Sequence, residues 1–531
     1  MDQAKVLEFM GRKEAYEGPP ATVERIDTHA SIVFLAGPFA YKVKRAVTYA
    51  FLDFSTLEKR LAACRNELRI NRRTAPQLYL EVAPITIGGD GRFRLRGEGE
   101  AVEYVLVMRR FDQAGLYDRM AEEGRLGLAL MAPLARAVAA FHQSADRVLT
   151  QDQAVLPLAR IIAEHEDMLA ANADLFPPAA AEDVMRRTRG AFERLVALLR
   201  ERARDGSLRH CHGDLHLRNI VEIDGAPVLF DAIEFDDRLA TIDVLYDLAF
   251  LLMDLGKRGL RAHANLVLNA YLDADGRSDT LVGLATLPLF LSMRAMIRAK
   301  VELLRAERVA DEAARHNEQI ERHDGRLERH DGRLARHNAR QYFTLAGAFL
   351  APPGPRLVAI GGLSGSGKSV VSQMLAPELG AFPGAVIVRS DVIRKRLYGM
   401  APEDRLPASA YTQQVSDVVY RICRKRAALA LRAGHAVILD AVHAKPQERA
   451  AAAALAAEFG IAFNGLWLDA PADVLGARVA KRAGDVSDAT PEVVKTQLSY
   501  ELGEMTFDRI DANLPPDQVA ALCLERLAAK P

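Results

Sequence analysis

Residues 357–369 read LVAIGGLSGSGKS, and this stretch decides the fold of the C-terminal part of the chain. A short apolar run, LVAIG, enters a glycine-rich turn, and the VVSQMLAPEL that follows has helical spacing. Glycines let backbone N–H groups wrap phosphate oxygens without Cβ clashes, and a helix beginning there adds its positive end. Within 362–369, G-L-S-G-S-G-K-S, phosphate contact falls to Gly362, Ser364, Gly365, Ser366 and Gly367. Lys368 has the reach for the β- and γ-phosphates, and Ser369 carries the hydroxyl for Mg²⁺. Further apolar runs, AVIVRS, AVILDA and GLWLDA, alternate with helical segments, the pattern of a parallel sheet covered on both faces.

An open α/β sheet binds ligands at the C-terminal ends of its strands. Asp391 ends AVIVRSD and Asp440 ends AVILD. Asp391, with Arg394 three residues on, makes S-D-V-I-R, an arrangement suited to holding and deprotonating an acceptor hydroxyl. Asp440 resembles a Walker-B acid that helps to place Mg²⁺. Arg478 and Arg482 share a helix face before the loop G-D-V-S-D-A and resemble lid arginines that close over a transferred phosphate. About 175 residues from Arg356 resemble the P-loop kinase group that includes gluconate kinase, polynucleotide 5′-kinases, chloramphenicol phosphotransferase and zeta-type toxins. The Walker motif and S-D-x-x-R carry that resemblance.

A second signature lies at 212–219, H-G-D-L-H-L-R-N, followed by Asp231 after the hairpin-like IVEIDGAPVLFDAIEFD. This is the chemistry of a protein-kinase-like catalytic loop. Asp214 orients the acceptor hydroxyl and takes its proton, while Asn219 and Asp231 hold metal across the phosphates. The motif resembles that of the aminoglycoside phosphotransferase and choline kinase superfamily, whose fold places a nucleotide between a sheet lobe and a helical lobe. The resemblance implies that AYKVKR carries the phosphate-binding lysine, Lys42 with Lys44 as the alternative, since strand alternation sends both to one face. It implies Glu67 as the lysine's helix partner and Met108, in a hinge running to Phe111, as the adenine contact. Asp243 and Asp247 are expected on one helix face, bracing the catalytic loop. Leu217-Arg218 stand where antibiotic-modifying members commonly have Pro-Gly, so the family name does not define the acceptor.

The flanking sequence fits two lobes. SIVFLAGPFAYKVK, EVAPITIGGDGRFRL and VEYVLVM suggest an antiparallel sheet, and Ser55 with Glu58 makes a capping-box pattern opening a helix. From about Leu116 to Leu350 the spacing is mainly helical. APPGP, 351–355, marks a break. The expected fold is therefore an α+β, protein-kinase-like, two-lobed domain over 1–350, with its sheet lobe to about 112. A linker at 351–355 and an α/β P-loop NTPase domain with a parallel sheet over 356–531 follow. A heptad repeat, ARHNEQI, ERHDGRL twice and ARHNAR, covers 314–340 and is read as a duplicated helical insert without chemistry.

At 531 residues the chain is too long for one ordinary core. Lys+Arg and Asp+Glu balance at 70 each, which excludes a strong overall field for nucleic acid or anionic lipid. Cys64, Cys211, Cys423 and Cys523 are scattered, so neither a disulfide framework nor a zinc site is indicated. The N-terminus lacks a secretory h-region, and the apolar stretches Val244–Leu255 and Leu281–Met293 are too short or too interrupted to span a bilayer. A cytoplasmic location without membrane attachment is expected.

The whole order resembles a bacterial group described as bifunctional aminoglycoside phosphotransferase/ATP-binding proteins. That resemblance implies ATP and Mg²⁺ at both sites and hydroxyl-bearing small molecules as acceptors, with a nucleic-acid 5′-hydroxyl as a further class for the C-terminal site. The alternative is that one half, the N-terminal one by preference, binds nucleotide or ligand and regulates the other.

Overall fold

The computed structural model describes residues 3–28, 30–49, 52–316, 324–401, 404–481 and 488–529, with side chains for all of these but Tyr49 and 311–330. By compactness the chain divides into two units, Met1–Pro157 with Gly206–Leu251, and Leu158–Asp205 with Leu252–Pro531.

The first unit holds a six-stranded antiparallel sheet. Its order is Val23–Asp27, Ser31–Ala36, Phe39–Lys44, Glu100–Arg109, Tyr79–Ile87 and Phe93–Leu95. The apolar runs read from sequence supply the inner strands. Val23–Asp27, VERID, escapes that reading because it is an edge strand with four exposed residues and little apolar patterning. Helix Leu57–Asn71 falls in sequence between strands Phe39–Lys44 and Tyr79–Ile87 and packs against Glu100–Arg109. Its cap corrects the expected box. Thr56, not Ser55, accepts from Lys59 N–H, because Ser55 N–H and Oγ both donate to Asp53 Oδ1. Beyond the sheet, the hairpin Ile220–Ile223/Ala226–Leu229 turns on Asp224-Gly225, both with positive φ, the conformation that a two-residue turn of this kind requires.

The second unit contains the five-stranded parallel sheet, ordered Val386–Arg389, Val437–Asp440, Leu357–Gly361, Phe463–Asp469, Asp508–Asp511. Four of these strands are the apolar runs read from sequence. Asp508–Asp511, DRID, is an edge strand whose charged residues hide it from such a reading. Val358, Ile360, Ile438, Leu466 and Leu468 form the core with Val371, Leu375 and the C-terminal helix Pro516–Ala529. Helices Leu287–His316 and Asp324–Phe349 pack side by side in the same unit. The segment Ser278–Ala310 is long and apolar enough to cross a membrane, longer than the sequence reading allowed, but 78% of its most apolar window is buried inside the fold. Part of the heptad repeat belongs to helix Asp324–Phe349, whereas 317–323, including His323, lies outside the described residues.

Helix Arg261–Asp275 covers the free edge of the parallel sheet. Strand Val386–Arg389 pairs only with Val437–Asp440, and beside it Asn265 and Asn269 stand in for a neighbouring strand. Both Nδ2 groups donate to Ala385 O at 3.1 Å, and Ile387 N–H donates to Asn269 Oδ1 at 2.7 Å. The arrangement satisfies groups that an edge otherwise offers to any passing chain. Arg261 adds bonds to the carbonyls of Pro377 and Gly380, and Phe382 packs on Gly256 closely enough that a Cβ there would come within 2.7 Å of its ring. Asn269→Leu is expected to destabilise the full chain by about 1–3 kcal/mol, the cost of unsatisfied buried backbone groups. Urea unfolding followed by circular dichroism checks this, and a change within error would mean that water replaces the amide.

Candidate active sites

In the first unit, the two lysines of Phe39–Lys44 reach the same buried carboxylate from one strand face, as alternation requires. Lys42 Nζ lies 2.7 Å from Glu67 Oε1 and 2.9 Å from Asp231 Oδ1. Lys44 Nζ lies 2.5 Å from Glu67 Oε2 and 2.6 Å from Glu234 Oε1. The result is a ladder of alternating charge: Asp231, Lys42, Glu67, Lys44, Glu234. Burial disfavours the charge on Lys42, yet Asp231 and Glu67 outweigh it and hold the ammonium well above the usual lysine range. Burial likewise opposes ionisation of Glu67, but the two lysines keep it below the carboxylate norm. Glu234 goes the other way, raised by burial that Lys44 only partly offsets.

Asp231 adopts φ +59°, a left-handed conformation uncommon for a residue with a Cβ. Two side chains hold it there: Asp231 N–H donates to Tyr79 Oη at 3.1 Å, and the next amide, Ala232 N–H, donates to Asn71 Oδ1 at 2.8 Å. Such strain persists where the surroundings over-determine it. The loop from His212 to Asn219 is held as firmly. Asn219 Nδ2 donates to Asp214 O and Oδ2 at 2.9 and 3.0 Å, and His216 Nε2 lies 3.3 Å from the same Oδ2, which orients the carboxylate. Asp247, fully buried, accepts from the N–H groups of His212 and Gly213 and faces His142 Nε2 at 3.1 Å. That is the bracing expected of Asp247. Asp243 differs: it closes strand Thr241–Asp243 and accepts from Leu245 N–H at the start of helix Val244–Lys257.

A cleft of about 400 Å³ is lined by Lys42, Lys44, Met108, Phe111, Asp214 and Asp231 among others. Its apolar wall and charged floor suit a nucleotide base and its phosphates.

In the second unit, Gly362 has φ +141° and Gly365 φ +89°, and a Cβ on either would come within 2.6 Å of a backbone oxygen, Leu468 O or Leu475 O. Only glycine fits. Gly367 precedes helix Lys368–Leu375, and Ser366 Oγ is buried in the loop. Lys368 Nζ donates to Gly362 O at 2.8 Å and Leu363 O at 3.1 Å, across the loop, and Ser364 N–H donates to Gln497 Oε1 at 2.7 Å. Ser369 Oγ donates to Asp440 Oδ2 at 2.8 Å. Burial raises Asp440, against the pull of Arg389 and Lys368. These residues fit a divalent cation: a hydroxyl and a buried carboxylate at the strand end, already in contact.

Ser364, Gly365, Gly367, Lys368, Ser369, Asp391, Arg394 and Asp440 line one cleft of about 610 Å³. Asp391 sits in the first turn of helix Ser390–Leu397. Arg394 is largely engaged elsewhere, donating to Ala410 O at 2.5 Å and Ser416 Oγ at 3.3 Å, and stacking on Tyr411. Arg478 corrects the lid expectation: its Nη1 donates to Ala512 O at 2.8 Å, and it does not line the cleft. Arg482 lies outside the described residues.

Comparison with known proteins follows the same division. Residues 41–281 match the model of the phosphotransferase enzyme family, and 357–501 match that of an AAA domain. Uncharacterized proteins of Mycobacterium tuberculosis H37Rv and Mycobacterium bovis are each 31% identical over 503 residues, 93% of this chain and 93% of theirs. The chain belongs to the family that joins a phosphotransferase domain to a P-loop AAA-type kinase domain. Among solved structures, a choline/ethanolamine kinase family protein from Mesorhizobium loti is 17% identical, covers 65% of this chain and 98% of its own, with a TM-score of 0.38. An APS kinase of Mycobacterium tuberculosis, solved with AMPPNP and APS, is 24% identical over 33% of this chain and 99% of its own, with a TM-score of 0.26. This member of the family is an enzyme of the kinase type.

Sequence reasoning missed Glu234, Tyr79, Gln497 and Arg389. Glu234 and Arg389 flank residues already singled out, Asp231 and Asp391, and adjacency was the available signal. Tyr79 and Gln497 act over 152 and 133 residues of sequence separation and leave no local trace. Because Glu67 is shared by two buried lysines, Glu67→Ala is expected to cost about 3–5 kcal/mol in urea unfolding. A loss below about 1 kcal/mol, the scale of a solvated pair, would refute the ladder as a buried unit.

Proposed function

We propose that the chain is a bifunctional ATP-dependent phosphotransferase, moving the γ-phosphate of ATP to hydroxyl acceptors at two separate sites. The first site is assigned to residues 1–350 and the second to 356–531, joined at 351–355. The observation that carries this reading is that each cleft is lined by a lysine and two carboxylates, Lys42, Asp214 and Asp231 in the first and Lys368, Asp391 and Asp440 in the second.

In the first cleft Lys42 is the phosphate-binding lysine, since it contacts Asp231, while Lys44 is tied to Glu234. Asp214, fixed by Asn219, orients the hydroxyl and takes its proton as the new O–P bond forms and the ADP oxygen leaves. In the second, Lys368 and the loop amides stabilise charge on the transferred phosphate, and Asp391 receives the acceptor proton. Asn219 with Asp231, and Ser369 with Asp440, are the residues for Mg²⁺, which when bound neutralises phosphate charge. Small molecules are the first acceptor class to test, a nucleic-acid 5′-hydroxyl the second for the C-terminal cleft. A cytoplasmic setting is part of this reading, supported by the balanced charge and the scattered cysteines.

The test is ATP consumption by the full chain against a panel of hydroxyl acceptors. Asp214→Ala should lower one acceptor-dependent activity by about 100-fold or more and leave another intact. Lys368→Ala should do the reverse, and the double variant should be silent. If either single variant silences everything in a folded protein, one half regulates the other, and bifunctionality is wrong.

A further inference from the structure

Arg389 ends strand Val386–Arg389, one residue before the helix that carries Asp391. Its side chain turns into the Ser369–Asp440 pair. Nη2 donates to Ser369 Oγ at 3.0 Å, and Nε lies 3.5 Å from Asp440 Oδ2. Ser369 Oγ in turn donates to the same carboxylate oxygen, which closes a triangle of three groups. All three line the second cleft. Asp440 is 4% exposed, so its charge has little water to rely on and takes its compensation from neighbouring cations.

The triangle has a consequence for metal binding. A serine hydroxyl coordinates a cation through an oxygen lone pair, and here that oxygen already accepts from a guanidinium. A second cation at the same oxygen and carboxylate would be repelled by the first. The guanidinium therefore has to withdraw for Ser369 and Asp440 to take a metal.

We propose that Arg389 is a tethered counter-ion of the second site, which occupies the Ser369–Asp440 pair and yields it when metal and nucleotide bind. The proposal rests on the reading that Ser369 and Asp440 hold the cation. It makes Arg389 a positioning residue. The guanidinium aims the Asp440 carboxylate, and it sets a threshold that a divalent cation crosses more easily when phosphates arrive with it. Binding of metal and of nucleotide is then cooperative.

The experiment titrates Mg²⁺ against a fixed concentration of fluorescent ADP, using the full chain with Asp231→Asn to silence metal at the first site. Asparagine tolerates the left-handed backbone that Asp231 requires. Arg389→Gln should lower the Mg²⁺ midpoint for ADP binding by about tenfold, equivalent to about 1.4 kcal/mol of removed competition. Arg389→Lys, which keeps the charge, should stay near the parent. Arg389→Ala should lower the midpoint likewise, and it serves as the test if Arg389→Gln does not fold. Without metal, Arg389→Gln should lower the melting temperature, and adding Asp440→Asn should abolish that loss. An unchanged or raised midpoint in Arg389→Gln, or in Arg389→Ala where that variant is used, overturns the proposal. If Asp440→Asn alone leaves the midpoint unchanged, the metal-site reading itself fails, whatever Arg389 does.

Discussion

A carboxylate removed from water has to find its compensation inside the protein, and Glu67 finds it in two lysines at once. That sharing organises the first cleft. Lys42 is drawn to the face that meets Asp231, and Lys44 is drawn inward to Glu234, so two residues that strand alternation makes equivalent become different. The ladder contains three carboxylates and two ammonium groups, and Asp231 is the more exposed of its two acidic ends. An acidic end that is partly exposed, beside a lysine, is a sound place to receive a cation carrying phosphates. The strained backbone at Asp231 serves the same end, because Tyr79 and Asn71 hold the carboxylate in line with Lys42.

The second cleft meets the same constraint with different parts. Asp440 is buried at a strand end, and its neighbours Arg389 and Lys368 compensate it, while Lys368 also donates to the carbonyls of its own loop. In both clefts, then, a protein cation stands next to the acid assigned to metal. The difference lies in mobility. Lys42 is locked between two acids, whereas Arg389 touches a hydroxyl and a carboxylate that a metal would claim.

Legibility in the sequence followed the range of the interaction. The glycine loop and H-G-D-L-H-L-R-N were readable because their chemistry is contained in eight residues, and the inner strands because burial on both faces leaves continuous apolar runs. Edge strands such as Asp508–Asp511 were not, since one open side removes that pattern. Ser55 and Thr56 are both good caps, and only the competing acceptor Asp53 decides between them. Arg478 shows the limit of helix-face arguments: spacing put it on a face, but the fold turned that face to Ala512. Asp243 was misplaced for the same reason, since the residues around it read as helix while pairing with His210–Leu208 makes them a strand.

The cover on the parallel sheet ties together residues that the two family models divide between them. An edge strand with open amides and carbonyls needs a partner, and the partner here is a helix belonging to the segment matched by the phosphotransferase family. The helix does more than cover. Its asparagines grip Ala385 and Ile387, the latter two residues before Arg389. Strand position, arginine position and the approach to Asp391 are thereby set from outside the 357–501 segment. A domain cut at the proline-rich break would keep its glycine loop and the Ser369–Asp440 pair but lose the helix that holds the strand beside them. The sheet edge thus makes the parallel sheet depend on residues that precede the break in the chain.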